Sequence, residues 1–278
     1  MNAAHPLDDY LLGNADFEHE RLIRQARTLA PCTERLFRDA GVSAGHRVLD
    51  VGSGVGDVAL LAASVVGPSG SVVGVDRDPV SLIQARARAA ASGATNVSFV
   101  ETDATTLTAV PAEPAFDAIV GRFVLMFLPD PVAALRALVR RLKPGGIVVF
   151  QEPSWASFFA QARQLPLRTA CGEIVCEVLR RAGARENMEL TLYRGMIECG
   201  LATPAMRLEV PIANDPDGRR WVYDLLLTLR PRLRQFGIQT DSIGDFDTLA
   251  RRLDDELADV RSYAPMVGLV GAWARRPS

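Results

Sequence analysis

The sequence predicts an α/β fold built on a doubly wound, mostly parallel sheet. Between residues 46 and 152, short apolar runs of about five residues, the length expected of strands, alternate with helical patterns. Most runs are apolar on both faces, as parallel strands covered by helices on both sides should be. The alternation of strand and helix favours parallel pairing. The predicted strands are Arg47–Val51, Ser71–Val75, Val97–Glu101, Phe116–Gly121 and Ile147–Gln151.

The segments between these strands carry helix signals. A helix is predicted from Val58 to Val65, and Asp78 followed by Pro79 is typical of a cap and first turn. Residues Pro131–Leu142 place five apolar side chains on one face, and Lys143–Gly146 (KPGG) is expected to end that helix. These helices would supply the crossover connections of a parallel sheet.

The two flanks differ from this centre. Residues 1–45 are predicted to form a helical lid that Pro31 breaks or kinks. Residues 153–278 are expected to complete the sheet with strands near 206–212 and 268–273, separated by helical insertions that cap a substrate pocket. One stripe in this region has helical spacing and is interpreted as simple core contact: Phe246, Leu249, Leu253, Leu257 and Val260. The predicted division is therefore 1–45, 46–152 and 153–278.

The composition of the chain makes some classes of partner and location unfavourable. The chain has 278 residues, is 48% hydrophobic and has a net charge of −2, which does not favour nucleic acid as a partner. No stretch of about 20 apolar residues predicts a membrane span, and no signal peptide is recognisable. The four cysteines form no C-x-x-C pair. We therefore expect free thiols, a cytoplasmic location and no metal site.

A glycine-rich turn follows the first predicted strand and opens the next helix. A turn with little side-chain bulk lets a ligand approach the backbone, and the helix N-terminus offers free N–H groups. Dinucleotide sites use G-x-G-x-x-G, but Asp57 stands here where the third glycine would be. A tight turn without a ligand is the alternative. The residues of the motif are Asp50, Gly52, Ser53, Gly54 and Gly56.

This acidic residue followed by G-x-G-x-G resembles the first motif of the class I, Rossmann-like methyltransferases that depend on S-adenosylmethionine (SAM). The resemblance implies that the glycine loop lies against the amino-acid part of SAM. It also implies that Asp50 orients the loop and contacts the methionyl ammonium, often through water. Such a role explains a carboxylate at the end of an otherwise apolar strand.

Later strand ends agree with the same family in order and spacing. Asp76 lies about twenty residues after the glycines, where a carboxylate can accept both ribose hydroxyls, and its neighbour Arg77 is expected beside it. By the resemblance, Asp103 holds the adenine amine and the backbone of Ala104 meets a ring nitrogen, with a turn or helix cap as the alternative. Arg122 is a candidate for the SAM carboxylate or an acidic substrate, with a structural ion pair as its alternative.

The resemblance extends to both ends of the chain. The segment VGLVGAWARRP is similar to the reversed last strand of the family's seven-stranded sheet. The segment GNADFEHERLIRQA is similar to the lid helix of bacterial small-molecule enzymes akin to the ubiquinone and menaquinone methyltransferases. By that likeness Tyr10, Arg21 and Gln25 are expected to close over the cofactor. An enclosed helical cap would suit a small apolar or aromatic acceptor.

The sequence leaves the catalytic base and the chemical class open. A neutral acceptor must lose a proton, and Glu152 and His19 are the candidates, although Glu152 can also be structural and His19 can be a solvated helix residue. O-, N- and C-methylation remain equal alternatives. A SAM-binding protein without methyl transfer and an NAD(P)-dependent oxidoreductase are the other function classes. A homodimer is a further expectation.

Overall fold

The computed structural model describes residues 16–111, 113 and 115–278. Its main sheet has seven strands in the order β3-β2-β1-β4-β5-β9-β6, and a second sheet pairs β7 with β8. The large sheet is mostly parallel with an antiparallel last strand, which confirms the predicted fold class. The strands are β1 Arg47–Val51, β2 Ser71–Asp76, β3 Val97–Glu101, β4 Phe116–Arg122, β5 Leu142–Ser154, β6 Ala205–Glu209, β7 Ile212–Ala213, β8 Ala264–Pro265 and β9 Gly268–Arg275.

Helices connect these strands, and several begin where the sequence places an aspartate before a proline. Asp78 accepts hydrogen bonds from the backbone N–H groups of Val80 and Ser81, and Asp130 accepts one from Ala133. The helices of the described residues are α1 Asp16–Ala40, α2 Asp57–Val66, α3 Pro79–Ser92, α4 Pro131–Val139, α5 Trp155–Gln161, α6 Pro166–Arg181, α7 Glu189–Glu198, α8 Pro216–Phe236 and α9 Phe246–Asp259.

The chain divides into two compact units, a sheet unit and a helical unit. The sheet unit comprises Leu29–Glu152, Met188–Leu208 and Val270–Ser278. Its core joins the second half of α1, α2 and α3 to strands β1, β2, β4 and β5. The parallel pairs β1–β2, β1–β4, β2–β3 and β4–β5 align the carboxyl ends of these strands at one edge. Ligands of doubly wound sheets bind at that edge.

The helical unit comprises the described residues up to Thr28, together with Pro153–Asn187 and Glu209–Leu269. Helix α8 packs against both α6 and α9, and Leu249, Leu253 and Leu257 of α9 are buried. The interpretation of the α9 stripe as core contact is confirmed for these leucines, whereas Val260 is exposed. An aromatic cluster of Trp155, Phe158, Phe159 and Trp221 forms a second contact region in this unit.

Three predicted boundaries were wrong. Helix α4 ends at Val139 rather than Leu142, and the KPGG segment belongs to β5 because Leu142 pairs with Phe116. The predicted strand over 206–212 is split, since β6 ends at Glu209 and Ile212 pairs in the small sheet. Pro31 does not break α1, which runs continuously from Asp16 to Ala40. Within the part of the chain that the structure describes, no helix has the length and apolar character needed to span a bilayer.

Candidate cofactor site at the carboxyl edge of the sheet

The turn between β1 and α2 places its three glycines in the left-handed region. The φ angles of Gly52, Gly54 and Gly56 are +66°, +50° and +88°, which residues with a Cβ rarely adopt. A Cβ on Gly52 would lie 2.4 Å from Cγ2 of Val124, whereas a Cβ on Gly54 would meet open space. A Cβ on Gly56 would lie 3.1 Å from side-chain atoms of both Ala85 and Phe99. Gly56 therefore permits close packing, and Gly54 leaves the backbone accessible to a ligand.

Asp50 is the next-to-last residue of β1 and carries a buried carboxylate. Its side chain is fully buried, and neither Oδ1 nor Oδ2 makes a hydrogen bond of standard geometry with any described residue. Burial raises its pKa well above the usual value, although the Arg122 charge and the nearby Ala59 amide act in the opposite direction. The Ser53 hydroxyl is likewise buried without a partner among the described residues. Such groups are rare in native proteins, and a ligand is one explanation.

Asp76 holds the glycine loop from the end of β2. Its Oδ2 accepts the Gly54 N–H at 2.8 Å, and its Oδ1 accepts the Asp78 N–H at 3.0 Å. Burial raises the pKa of Asp76, while these backbone hydrogen bonds lower it. Each oxygen retains a second lone pair, so the carboxylate can still accept hydroxyl donors while it fixes the loop.

Arg88 of α3 is a loop contact that sequence reasoning missed. Its Nη2 lies 2.6 Å from Oδ1 of Asp57, and its Nη1 donates to the Val55 carbonyl at 2.6 Å. The guanidinium thus joins two residues of the turn and fixes Asp57 in the first turn of α2, where a negative charge is favourable. The sequence carries no signal for this contact, because Arg88 is one of two arginines on α3 and lies 31 residues beyond Asp57.

Arg122 extends from the end of β4 into a polar network inside the sheet unit. Its Nη1 donates to Thr33 Oγ1 at 3.0 Å, and that hydroxyl donates to Gln151 Oε1 at 2.7 Å. Burial lowers the pKa of Arg122, whereas the charges of Asp57 and Asp50 raise it. Sequence reasoning found Arg122 but missed Thr33 and Gln151. Gln151 stands directly before Glu152 at a strand end, which is a usable signal, but Thr33 lies in a helix far away in sequence.

Asp103 forms a turn after β3. Its Oδ1 accepts the Thr105 N–H at 2.7 Å and also contacts the Thr105 hydroxyl. Burial would raise the pKa of Asp103, but these hydrogen bonds and the Arg77 charge lower it overall. Arg77, which follows β2, is exposed, and Ala104 in the turn after β3 is half-buried. The turn that was the alternative for Asp103 is present, and the adenine contact implied by the resemblance stays a prediction.

Glu152 is fully buried and organises the segment after β4. Its Oε1 accepts the N–H groups of Val124 at 3.0 Å and Leu125 at 2.9 Å, and its Oε2 accepts that of Met126 at 3.3 Å. Phe123 in this segment has a φ of +56°. Burial raises the pKa of Glu152 to about 7, against the effect of the three N–H groups. The carboxylate therefore braces a strained turn whose Val124 side chain packs on Gly52.

The other predicted site residues lie elsewhere or outside the description. His19 is 5% exposed in α1, so its interpretation as a solvated histidine was wrong. Gln25 lies on α1 in the helical unit, where its Oε1 accepts hydrogen bonds from Arg21 Nη1 and Trp221 Nε1, both at 2.8 Å. Tyr10 lies outside the described residues. Catalytic roles for His19 and Glu152 stay predictions.

Comparison with known proteins now assigns the family. A family model described as a methyltransferase domain matches residues 42–193, which is more than half of the chain. The chain belongs to the class I, SAM-dependent methyltransferase family. This result confirms the family that the glycine motif and the later strand ends indicate.

Curated relatives match the methyltransferase over part of their length. Aklanonic acid methyltransferase DauC from Streptomyces sp. (strain C5) is 38% identical over 125 residues, covering 44% of this chain and 55% of that protein. Demethylmenaquinone methyltransferase from Staphylococcus aureus (strain JH9) is 38% identical over 122 residues, covering 44% of this chain and 48% of that protein. The chain therefore spans about half the length of these relatives.

Solved structures share the fold over most of the chain. The YcgJ protein from Bacillus subtilis has a TM-score of 0.57 and 18% identity, covering 88% of this chain and 98% of its own. The [4+2]-cyclase SpnF has a TM-score of 0.54 and 21% identity, covering 89% of this chain and 81% of its own. At these identities the likeness is one of fold.

The residues at the sheet edge fit SAM, the cofactor of this family. The methionyl ammonium needs a negative partner. Asp50 offers a buried carboxylate that accepts no hydrogen bond of standard geometry from the described residues. The ribose diol needs hydrogen-bond acceptors, which Asp76 offers beside the glycine loop. The open space at Gly54 leaves the backbone free for close approach. Asp50, Ser53, Gly54 and Asp76 would thus hold the amino-acid and ribose parts.

Proposed function

We propose that this chain transfers a methyl group from SAM to a small apolar or aromatic acceptor. The observation that carries the proposal is the buried Asp50 carboxylate, which lacks a partner among the described residues beside a glycine loop held open by Asp76. A charge left unpaired in the interior is costly, and a cationic ligand group would compensate it. The family places the same acidic residue at the methionyl ammonium.

The protein's part in such a reaction is mainly positioning. Bound SAM would supply a methyl group on a sulfonium, so that attack by an acceptor lone pair gives the methylated acceptor and S-adenosylhomocysteine. Asp50 and Asp76 would hold the cofactor beside the glycine loop, and Arg88 holds the loop through Asp57 and Val55. Correct placement of the two reactants can supply a large share of the rate enhancement.

We assign Glu152 a positioning role rather than that of a base. Glu152 is fully buried, and three backbone N–H groups of the segment after β4 donate to its carboxylate, so its observed contacts are those of a residue that positions this segment. Its contacts support the turn at Val124, which packs on Gly52 of the glycine loop. His19 stays a candidate base, since histidine is the side chain that most often serves as a general base, and this imidazole is buried in α1.

The acceptor class rests on the relatives. The proteins that match over the sheet region are named for aklanonic acid and for demethylmenaquinone. Both are methyl acceptors of small molecular size, which supports a small-molecule acceptor here. An acceptor of this kind loses a proton when its oxygen or carbon is methylated, and that proton must pass to a side chain or to water.

The first experiment is isothermal titration of the purified chain with SAM, S-adenosylhomocysteine and NADH. We expect both adenosyl ligands to bind and NADH to give no heat of binding. Incubation with SAM and a panel of hydroxylated aromatics and quinones, followed by mass spectrometry, then tests methyl transfer. Binding of NADH alone would overturn the cofactor assignment.

A second function class has a specific observation in its favour. The [4+2]-cyclase SpnF shares the fold, so a SAM-binding scaffold of this shape can host a reaction other than methyl transfer. If SAM binds but no acceptor gains a methyl group, a repurposed catalyst becomes the better description.

We also propose a partner other than nucleic acid, a cytoplasmic location and a homodimer. A net charge of −2 supports a partner other than nucleic acid. Three of the four cysteines are buried and none of the four is in a disulfide, and burial raises the pKa of Cys171 to about 12, which supports a reducing cytoplasmic location. The homodimer is tested by light scattering of the purified chain.

A further inference from the structure

Two opposite charges lie on one face of the sheet, near the carboxyl ends of neighbouring strands. Asp50 of β1 is in register with Val120 of β4, and Arg122 ends β4 two positions further on. Side chains two positions apart on a strand project to the same face, so the Asp50 carboxylate and the Arg122 guanidinium share that face. They make no hydrogen bond with each other, although the charge of each shifts the pKa of the other toward the ionised form. A ligand at this edge therefore meets both signs of charge.

Arg122 is held at one end of its guanidinium. Its Nη1 donates to Thr33 Oγ1 at 3.0 Å, and no other hydrogen bond or salt bridge joins this guanidinium to the described residues. The structural ion pair that was one alternative for Arg122 is thus absent from the part of the chain that the structure describes. Because a guanidinium is a rigid plane of five N–H donors, a contact at Nη1 restrains the whole plane and leaves Nη2 and Nε available. The side chain is half-buried, so part of it stays accessible to a ligand.

Thr33 is itself fixed by buried neighbours. Its side chain is 1% exposed, and its hydroxyl lies 2.7 Å from Gln151 Oε1 and 3.2 Å from the Leu29 carbonyl. A threonine hydroxyl has one proton, and either oxygen can accept it, which leaves a lone pair for the Arg122 N–H. Gln151 is buried and lies opposite Arg122 in the pairing of β4 with β5. The guanidinium is therefore attached to two buried residues, one on α1 and one on β5.

The ligand group that matches this arrangement carries both an anion and a cation. The amino-acid end of SAM is such a group, since its ammonium and its carboxylate are bonded to one carbon. The ammonium complements Asp50, as proposed above, and the carboxylate then needs donors on the same face. A planar guanidinium suits a carboxylate because two of its N–H groups can bind the two oxygens. An acidic acceptor would also attract Arg122, but it would bring no cation for the Asp50 carboxylate.

We propose that Arg122 binds the carboxylate of SAM and that Thr33 is a positioning residue, which directs the guanidinium toward that carboxylate while Gln151 fixes the Thr33 hydroxyl. The proposal rests on the methyltransferase function proposed above. It goes further because it adds Thr33 and Gln151, which lie outside the sequence motifs, and because it assigns Arg122 to the cofactor rather than to an acidic substrate.

The test compares two ligands that differ only in the carboxylate. Titration calorimetry on the full chain gives the Kd of S-adenosylhomocysteine and the Kd of decarboxylated S-adenosylhomocysteine, which keeps the ammonium, the thioether and the adenosine. We expect wild type to bind S-adenosylhomocysteine at least about tenfold more tightly than the decarboxylated ligand. Arg122→Gln should abolish most of this difference and leave the Kd of the decarboxylated ligand within about twofold of wild type, which also reports a folded site.

Thr33→Val tests the positioning role, because valine keeps the branched shape and lacks the hydroxyl. It should weaken S-adenosylhomocysteine binding about three- to tenfold and leave the Kd of the decarboxylated ligand nearly unchanged. Thr33→Ser retains the hydroxyl and should restore the wild-type ratio of the two Kd values. Thr191→Val is the matched control, since Thr191 is a half-buried helical threonine of the same unit, and it should change neither Kd.

Three results would overturn the proposal. Equal affinity of the two ligands for wild type would do so without any variant, and an unchanged ratio of the Kd values in Arg122→Gln would remove this residue from the carboxylate. A wild-type ratio in Thr33→Val, whether both affinities fall together or neither falls, would show that Thr33 serves the fold alone. A wild-type chain that binds neither adenosyl ligand would instead contradict the methyltransferase function on which the proposal rests.

Discussion

In the sheet unit the fully buried Asp50 accepts no standard hydrogen bond from the described residues, whereas in the helical unit the buried Glu18 and Arg21 pair through two contacts of 2.6 and 2.7 Å. Both regions bury carboxylates, and burial without a partner is the more costly arrangement. The sheet unit therefore contains a buried carboxylate with which a ligand could still form a hydrogen bond. In the helical unit, the buried carboxylate of Glu18 is already paired with Arg21.

Arg168 is a buried cation of the helical unit and provides a third case for this comparison of buried charges. It is fully buried in the helical unit, and its Nε and Nη1 have no hydrogen-bond partner among the described residues. Its Nη2 donates to the Arg219 carbonyl, and the charge of Glu256 favours its protonated form against burial, which lowers its pKa. Glu256 in turn accepts the N–H groups of Leu167 and Arg168 at the start of α6. Both buried groups therefore have an opposite charge nearby, but Arg168 also makes one hydrogen bond of standard geometry, whereas Asp50 accepts none from the described residues.

The largest expected effect is at Asp76. Asp76→Ala should weaken SAM binding by at least about 100-fold, because it removes the proposed ribose acceptors and releases the Gly54 N–H that orders the loop. Titration calorimetry measures the Kd. Asp78→Ala is the matched control: it removes the cap of α3 and costs about 1 kcal/mol of stability without removing the acceptors. An unchanged SAM affinity in Asp76→Ala would contradict the site.

At Asp50 we expect a smaller loss of SAM affinity together with a gain in the stability of the ligand-free chain. Asp50→Asn should weaken SAM binding about 10- to 100-fold, since a charged partner of the ammonium becomes neutral. The same change should raise the free energy of unfolding of the ligand-free chain by roughly 1–3 kcal/mol, because the cost of a buried unpaired charge disappears. Calorimetry and urea unfolding at pH 8 measure the two quantities. A variant that is both less stable and unchanged in SAM affinity would show that Asp50 serves the fold.

Local patterns in the sequence predicted much of this structure. Strands β1 and β3 have the predicted bounds, and the motif residues from Asp50 to Gly56 form the predicted turn. These features depend on neighbouring residues and on alternation of strands with helices. The family's motif positions at Asp76 and Arg122 could be predicted for the same reason, since each is the last residue of a strand.

The remaining features depend on contacts between distant residues. The KPGG segment has the composition of a turn, yet sheet pairing brings it into β5 with a register shift between Phe116 and Ala118. The hydrogen bond from Arg122 to Thr33 and the bond from Trp221 to Gln25 join residues 89 and 196 positions apart. The burial of His19 likewise follows from packing around α1, because its sequence neighbours are mostly charged.

The smallest expected effect on SAM affinity is at Glu152, which is buried in the sheet unit but already has partners. Glu152→Gln should weaken S-adenosylhomocysteine binding by less than about tenfold, because its influence on the glycine loop passes through Val124 and Gly52. Glu101→Gln, at the exposed end of β3, is the matched control. A loss as large as that of Asp76→Ala would place Glu152 in direct contact with the cofactor.

Glu152 should also leave a pH signature in stability. Its pKa is about 7 in the folded chain and near the ordinary value of 4.5 when unfolded, so the folded state binds the extra proton between these values. The free energy of unfolding of wild type should therefore fall by up to about 3 kcal/mol from this group as pH rises from about 4.5 to 7. Urea unfolding across this range should show that fall in wild type and in Glu101→Gln, but a flatter profile in Glu152→Gln. Parallel profiles for wild type and Glu152→Gln would mean that Glu152 remains ionised in the fold, with its three backbone N–H groups outweighing the cost of burial.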